Sequence, residues 1–188
     1  KHVETHLHKN IPSGAGLGGG SSDAASMIIL LNHLFNTNLS EDEMIAIAKE
    51  IGSDCAFFIK NHPVYAGEKG DVFNDIRIDL NHYYFVIIHP GIHINTAKAY
   101  QRITPASSAF NLKNINQIKI SDWKKYVKND FESYVFDLYP EVKTIKSQLY
   151  DHGAIYASMS GSGSSVYGIF KDIKGIKEKF PQSSIIKA

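Results

Sequence analysis

Ile11-Pro12-Ser13-Gly14-Ala15-Gly16-Leu17-Gly18-Gly19-Gly20-Ser21-Ser22-Asp23-Ala24-Ala25 is the stretch on which the reading of this chain turns. Five glycines and three serines lead into a segment whose apolar residues, Ala24, Met27, Ile28, Leu31, Leu34 and Phe35, recur at helical spacing. That spacing predicts a helix over Asp23 to Phe35. Glycines let the backbone take positive φ and let a ligand reach the amides without meeting side chains. A loop of this kind that ends in a helix start gathers unpaired N–H groups and the positive end of the helix dipole, and such a place attracts phosphate.

Several glycine-rich phosphate loops compete for this stretch. A P-loop requires Gly-Lys-Ser/Thr, and no lysine occurs between Ile11 and Leu30. The dinucleotide fingerprint is formally present as Gly14-x-Gly16-x-x-Gly19. Its downstream acid should end a second strand, however, whereas Glu41, Asp42 and Glu43 open another helix. The protein-kinase glycine loop is a β-hairpin cover and does not run into an amphipathic helix. A flexible linker would not lead into such a helix either.

The chain has 188 residues, enough for one large domain or two small ones. With 20 basic and 19 acidic residues the net charge is +1, so no broad basic field points to nucleic acid or an anionic membrane, and phosphates must be held locally. The longest apolar runs, Met27 to Leu31 and Tyr83 to Ile88, fall far short of the roughly 20 residues of a spanning helix. No signal-peptide pattern opens at Lys1. Cys55, the one cysteine, excludes an internal disulfide framework, reads as a small buried apolar residue and gives the expectation of a reducing, cytoplasmic compartment.

Lys1 to Ile11 alternates loosely and predicts a strand with His6 and His8 on one side; a metal site there lacks a partner at ligand spacing in the loop that follows. Read from the residues alone, Lys9 is a solvated lysine at the strand end. Ser40-Glu41-Asp42-Glu43 is a capping box that opens a helix carrying Met44, Ile45, Ile47, Ala48 and Ile51, and Gly52 stops it. Taken alone, Asp54 in Ile51-Gly52-Ser53-Asp54-Cys55-Ala56-Phe57-Phe58 caps a short helix from Cys55 onward. Strands are predicted at Val64 to Gly67 and Ile76 to Leu80 around the turn 68–71, and Tyr83 to His89 reads as a strand covered on both faces. Thr96 reads as an N-cap and Tyr100 as a core aromatic. Thr104 to Gln117 is loop-like.

One or two helices are predicted around Trp123, Tyr126, Phe131, Tyr134 and Phe136, and another starts at Pro140 with Val142, Ile145, Leu149 and His152 on one face. Then come strands at Ala154 to Met159 and Val166 to Phe170 about the turn 160–165, a helix at Lys174 to Phe180 and a strand at Ser184 to Lys187. From Tyr83 this order is the split βαβ, ferredoxin-like plan.

The long glycine stretch, IPSGAGLGGGSSDAA, resembles the second motif of the GHMP small-molecule kinases, most of which carry the shorter Pro-x-x-x-Gly-Leu-Gly-Ser-Ser-Ala. The long form looks like the branch that phosphorylates 4-diphosphocytidyl-2-C-methyl-D-erythritol in the non-mevalonate isoprenoid pathway. MSGSGSSVYGIF from Met159 is similar to the third motif of the family, and Asp54 matches the segment that bears the catalytic aspartate. The stretch His89 to Tyr100 resembles the one whose threonine and aromatic line the methylerythritol side.

The resemblance covers essentially the whole chain in order. It implies an α+β chain of the GHMP kinase fold, with an incomplete, ribosomal-protein-S5-like α/β domain over 1–80 and a ferredoxin-like domain over 81–188. It implies ATP and Mg²⁺, held by Lys9, Pro12, Gly14, Gly16, Leu17, Gly18, Gly19, Gly20, Ser21 and Ser22, with Ser22 also at the metal. Gly161, Ser162 and Gly163 would close over the phosphates, Asp54 would take or orient the hydroxyl proton, and Thr96 and Tyr100 would position the acceptor.

Nothing in the chain matches the family's first motif, Pro-x-Lys-x-Asn, with its active-site lysine. The expectation is therefore a C-terminal two-thirds, with its activity in the absence of that motif left open, whose exposed sheet edge and apolar surface invite a homodimer. Another GHMP kinase, such as a mevalonate-pathway one, and a non-catalytic nucleotide-binding module are the alternatives.

Overall fold

In the computed structural model, which describes residues 2–104 and 110–188, the glycine-rich stretch opens α1 (Gly19–Phe35), followed by α2 (Glu41–Ile51) and α3 (Ser53–Lys60). The first helix begins four residues ahead of the predicted Asp23, because Gly18 in the left-handed region makes the turn and Gly19 already takes helical angles. The capping box of α2 is present, with Ser40 accepting from the Glu43 N–H and the Glu43 carboxylate accepting from the Ser40 N–H. Gly52 both ends α2 and precedes α3. Ala25, Ile28, Ala48, Cys55, Ala56 and Ile59 form the buried seam among the three helices. Ile29, Leu30 and Leu34 of α1 point outward, so its apolar pattern is wider than the face it buries here.

Residues 2–10 carry no strand and are exposed, contrary to the expectation; among the described residues no neighbouring strand pairs with them, and alternation without a ladder partner leaves only extended chain. The hairpin is β1 (Val64–Gly67) with β2 (Val72–Asp75), in register Val64 to Asp75 and Gly67 to Val72. The strand predicted over Ile76 to Leu80 is therefore absent. The short turn sets β2 directly opposite β1, and Ile76, Ile78 and Leu80 instead pack against a cluster built on Ile115 and Trp123.

The remainder forms β3 (Tyr84–Ile88), α4 (Thr96–Arg102), a 3-10 turn at Leu112–Gln117, α5 (Trp123–Tyr126), α6 (Phe131–Leu138), α7 (Pro140–Asp151), β4 (Tyr156–Met159), β5 (Val166–Phe170), α8 (Ile176–Lys179) and β6 (Ser184–Lys187). Part of the predicted 104–117 loop, residues 105–109, lies outside the described residues. The four strands are antiparallel in the order β4-β5-β3-β6, which is the split βαβ arrangement. Strand alternation explains why the run from Tyr83 is almost wholly apolar. Val86 and Ile88 face a core with Val135, Val142, Leu149 and Phe170, while Phe85 faces the opposite cluster with Trp123, Tyr156 and Ile169.

The helical and sheet-bearing parts meet at two glycine-containing turns. The Ser165 N–H donates to the Ala15 carbonyl at 3.1 Å, and Ser160 Oγ donates to the Gly16 carbonyl at 2.7 Å. Gly16 has φ +77°, and a Cβ there would lie 2.4 Å from the Ser160 carbonyl oxygen and 2.7 Å from that of Gly163. Gly16→Ala combines a left-handed penalty of about 1 kcal/mol with overpacking of about 1–3 kcal/mol, so a stability loss of about 2–4 kcal/mol is expected in urea unfolding followed by circular dichroism. A loss within experimental error would show that the two turns are not packed this closely.

Candidate active site

The turn before α1 leaves its helix start open. Gly18 offers no side-chain cap, the first turn of α1 contains no acid, and the first intrahelical bond at this end is Ser22 N–H to the Gly18 carbonyl at 2.9 Å. The amides of Gly19, Gly20 and Ser21 thus lack intrahelical acceptors, and no carboxylate of the first turn offsets the dipole. Gly19, Gly20, Ser21 and Ser22, read from sequence as loop, are the first helical turn.

These amides border a cavity of about 280 Å³ lined by Gly14 to Ser21, Asp54, Thr96, Tyr100, Phe131 and Gly161 to Gly163. Asp54 sits in the first turn of α3 with an exposed carboxylate, and the helix has Gly52 at its cap with no side-chain hydrogen bond. The capping role that sequence suggested for Asp54 is not seen. Thr96 is not the cap of α4 either: Asn95 accepts from the Lys98 N–H at 3.0 Å. That leaves Thr96 Oγ1 within 3.0 Å of Ser162 Oγ, tying the start of α4 to the second glycine turn. Tyr100 is no core aromatic. It is 65% exposed and meets Phe131 edge to face at 4.9 Å between centroids.

Lys9 and Ser22 line a neighbouring cavity of about 330 Å³ with His8, Asn10, Ile11, Leu17, Gly19, Asp23 and Phe58. The Lys9 ammonium pairs with the Asp23 carboxylate. Pro12 is exposed and lines neither cavity. Among the described residues no cluster of His, Cys, Asp and Glu could hold a metal ion: His6 bonds Glu4 at 3.0 Å and His8 bonds Asn10 at 3.1 Å.

Sequence reasoning missed Phe131 and Asn129. In the sequence Phe131 reads only as a helix aromatic, and nothing local distinguishes it from the core aromatics around it. Asn129 sits at a helix start, where its side chain accepts from the Phe131 N–H at 3.0 Å, a signal that Asn-Asp-Phe-Glu carries in the sequence. Beyond Phe131 a second cavity of about 560 Å³ continues past Asn129 to Tyr156 and Tyr167. Burial pushes the Tyr156 hydroxyl up to about 12 and raises that of Tyr167 as well, so both remain hydrogen-bond donors at neutral pH. Chemically, the principal cavity opposes open amides and a helix start to an exposed carboxylate, with two hydroxyls and an aromatic pair on its rim. That arrangement can hold an anion beside a group able to accept a proton.

The family pattern described as GHMP kinases N terminal domain matches residues 1–62, and that described as GHMP kinases C terminal matches residues 111–183. The chain is 52% identical over 173 residues to a 4-diphosphocytidyl-2-C-methyl-D-erythritol kinase of Azobacteroides pseudotrichonymphae genomovar. CFP2, covering 90% of this chain and 64% of that protein. It is 51% identical over 169 residues to a kinase of the same name from Cytophaga hutchinsonii, covering 89% of this chain and 63% of the relative. The chain thus spans less than two thirds of the length of these curated relatives. A crystal structure of 4-(cytidine 5'-diphospho)-2C-methyl-D-erythritol kinase superposes with a TM-score of 0.77 at 25% identity, covering 95% of this chain and 67% of that one. A homoserine kinase from Cytophaga hutchinsonii, at 18% identity and a TM-score of 0.68 over 95% of this chain and 67% of its own, shares the fold. With both family patterns present in order and relatives near half identity, the chain belongs to the GHMP kinase family.

Proposed function

We propose that this chain carries the phosphate-holding and proton-accepting parts of an enzyme that transfers the γ-phosphoryl of ATP to the 2-hydroxyl of 4-diphosphocytidyl-2-C-methyl-D-erythritol, a step of non-mevalonate isoprenoid biosynthesis. One observation carries the reading: the uncapped start of α1, the second glycine turn and the Asp54 carboxylate border a single cavity, in a chain whose relatives bear that kinase's name at 52% and 51% identity. The proposal assigns 1–80 to an ATP-binding domain and 81–188 to a C-terminal domain that closes on it.

In this reading Gly14, Gly16, Leu17, Gly18, Gly19, Gly20 and Ser21 wrap the nucleotide phosphates, with Pro12 setting the approach of the loop. Gly161, Ser162 and Gly163 cover them from the other side. Thr96 and Tyr100 orient the acceptor, and Asp54 takes or steers its hydroxyl proton. Lys9 lies beside the glycine turn, its Nζ 3.6 Å from where a Cβ on Gly19 would stand. Mg²⁺ suits oxygen donors, and the Ser22 hydroxyl next to Asp23 is of that class. Bound there, the ion would offset charge as phosphoryl groups move. The proposal also places the enzyme in the cytoplasm, where its buried free cysteine stays reduced, and allows for a homodimer through the outward apolar residues of α1, which light scattering on the full-length protein tests.

The glycine turn is best probed at Gly20. A side chain at Gly18 would come within 2.8 Å of the Phe58 ring, whereas a Cβ on Gly20 meets nothing within 4 Å. Gly20→Val should therefore change stability by less than about 1 kcal/mol while weakening ATP-analogue binding in calorimetry about tenfold or more, because the branched side chain keeps a phosphate away from an amide that is itself retained, at the cost of about one charge-assisted contact. Unchanged affinity would remove the phosphates from this helix start.

Asp54→Asn keeps the side-chain volume and disturbs no cap. Stability should shift by less than about 1 kcal/mol, while turnover on the diphosphocytidyl substrate in the full-length protein falls roughly 10²-fold or more with KM little changed. Near-normal single-turnover phosphoryl transfer by this variant would remove Asp54 from the chemistry. A thermal shift with mevalonate or homoserine in place of the cytidine compound would redirect the substrate assignment within the family.

A further inference from the structure

The structure assigns to Asn129 a positioning role: its amide clamps the second glycine turn to the start of α6, and so holds the phosphate-covering and acceptor-facing walls of the site in register. This rests on the phosphotransfer reading above for its consequence in catalysis, though not for the clamp itself.

Asn129 Nδ2 donates to two backbone carbonyls, Met159 and Gly161, each at 2.8 Å, and its Oδ1 accepts from the Phe131 N–H at 3.0 Å. The carboxamide therefore uses both donors and its acceptor at once, and one half-buried side chain joins the start of α6 to two carbonyls that lie 30 and 32 residues further along the chain. Three residues further on, Glu132 secures the strand end just before the turn. Its carboxylate accepts from the Met159 N–H at 2.9 Å and from Ser158 Oγ at 3.2 Å while pairing with Lys146 Nζ at 2.6 Å. The end of β4 is thus gripped on its N–H by Glu132 and on its carbonyl by Asn129.

What the grip positions lies on both sides of it. On one side the turn 160–163 touches the first glycine turn through Ser160 Oγ and reaches Thr96 through Ser162 Oγ. On the other, the N–H that Asn129 accepts belongs to Phe131, whose ring packs against Tyr100 on the rim. Asn129 touches no atom that would react. If the clamp slackens, the turn and the Phe131–Tyr100 pair move independently, and misplacement by about 1 Å is enough to cost on the order of 10²-fold in rate.

Substitutions separate the clamp from helix capping. Asn129→Asp and Asn129→Ser keep an oxygen for the Phe131 N–H, and both residue types serve helix starts about as well as Asn. Aspartate loses both donors to the carbonyls, and the serine hydroxyl is too short to reach the two together. In the full-length protein, both variants should lower kcat about tenfold to a hundredfold with a smaller change in acceptor KM. Amide hydrogen exchange at Ser160 and Gly163, the turn's own bonded N–H groups, should quicken about tenfold, as expected when local opening becomes easier by roughly 1.4 kcal/mol. Wild-type kcat and wild-type exchange in both variants would overturn the inference, leaving Asn129 only a turn residue ahead of α6. If wild-type protein does not phosphorylate the cytidine substrate, the functional reading fails by itself, and the exchange arm still decides the clamp. If the aspartate variant does not fold, the uncharged serine variant decides it by the same two readouts.

Discussion

The molecule depends on two hydrogen bonds between turns that are some 144 residues apart: Ser160 Oγ to the Gly16 carbonyl and the Ser165 N–H to the Ala15 carbonyl. Each bond contributes only about 0.5–1.5 kcal/mol net. Their importance lies in geometry, because they form only when the two backbones approach more closely than any side chain permits. Ala15 is almost wholly buried, and Gly16 has carbonyl oxygens where its Cβ would be. That approach sets the open amides of α1 and Asp54 on one side of the cavity against Ser162 on the other.

Behind the turns, two different kinds of packing support the two walls. The helical wall rests on a seam of small residues, Ala25, Ala48, Cys55 and Ala56, which lets α1, α2 and α3 lie close enough to bring Asp54 beside the glycine turn. The sheet wall is covered on both faces, with fully buried Val86, Val142, Leu149 and Phe170 on one. Burial of such side chains contributes about 1.5–3 kcal/mol each, enough to keep β4 and β5 rigid up to the turn between them. The Glu132–Lys146 pair is tolerated at the edge of this core because the remaining oxygen of Glu132 is used by the Met159 N–H and Ser158.

Features decided by local chemistry could be read from the chain before any coordinates. The capping box Ser40–Glu43, the start of α7 at Pro140, the strand Ser184–Lys187 and the order of elements that makes the sheet ferredoxin-like all follow from spacing and turn residues. Features decided at long range could not. The alternation of Ile76, Ile78 and Leu80 looks like a strand, yet a hairpin register set by residues 64–75 leaves no partner for it. Thr96 looks like a cap, but Asn95 beside it caps, and the partner of Thr96 lies 66 residues away. Asn129 resembles any turn asparagine until the carbonyls of Met159 and Gly161 are seen beside its amide.

The shared cavity has a thermodynamic corollary. Because its walls come from both sides of the Gly16–Ser160 junction, a ligand touching both turns acts as a strut between them and binds only when they are docked. Linkage then requires it to stabilise the docked form by RT ln(1 + [L]/Kd), about 2.7 kcal/mol at a hundred times Kd. That is comparable to the total of about 1–3 kcal/mol available from the two junction hydrogen bonds. A saturating ligand would therefore add to the junction about as much as its two hydrogen bonds supply together.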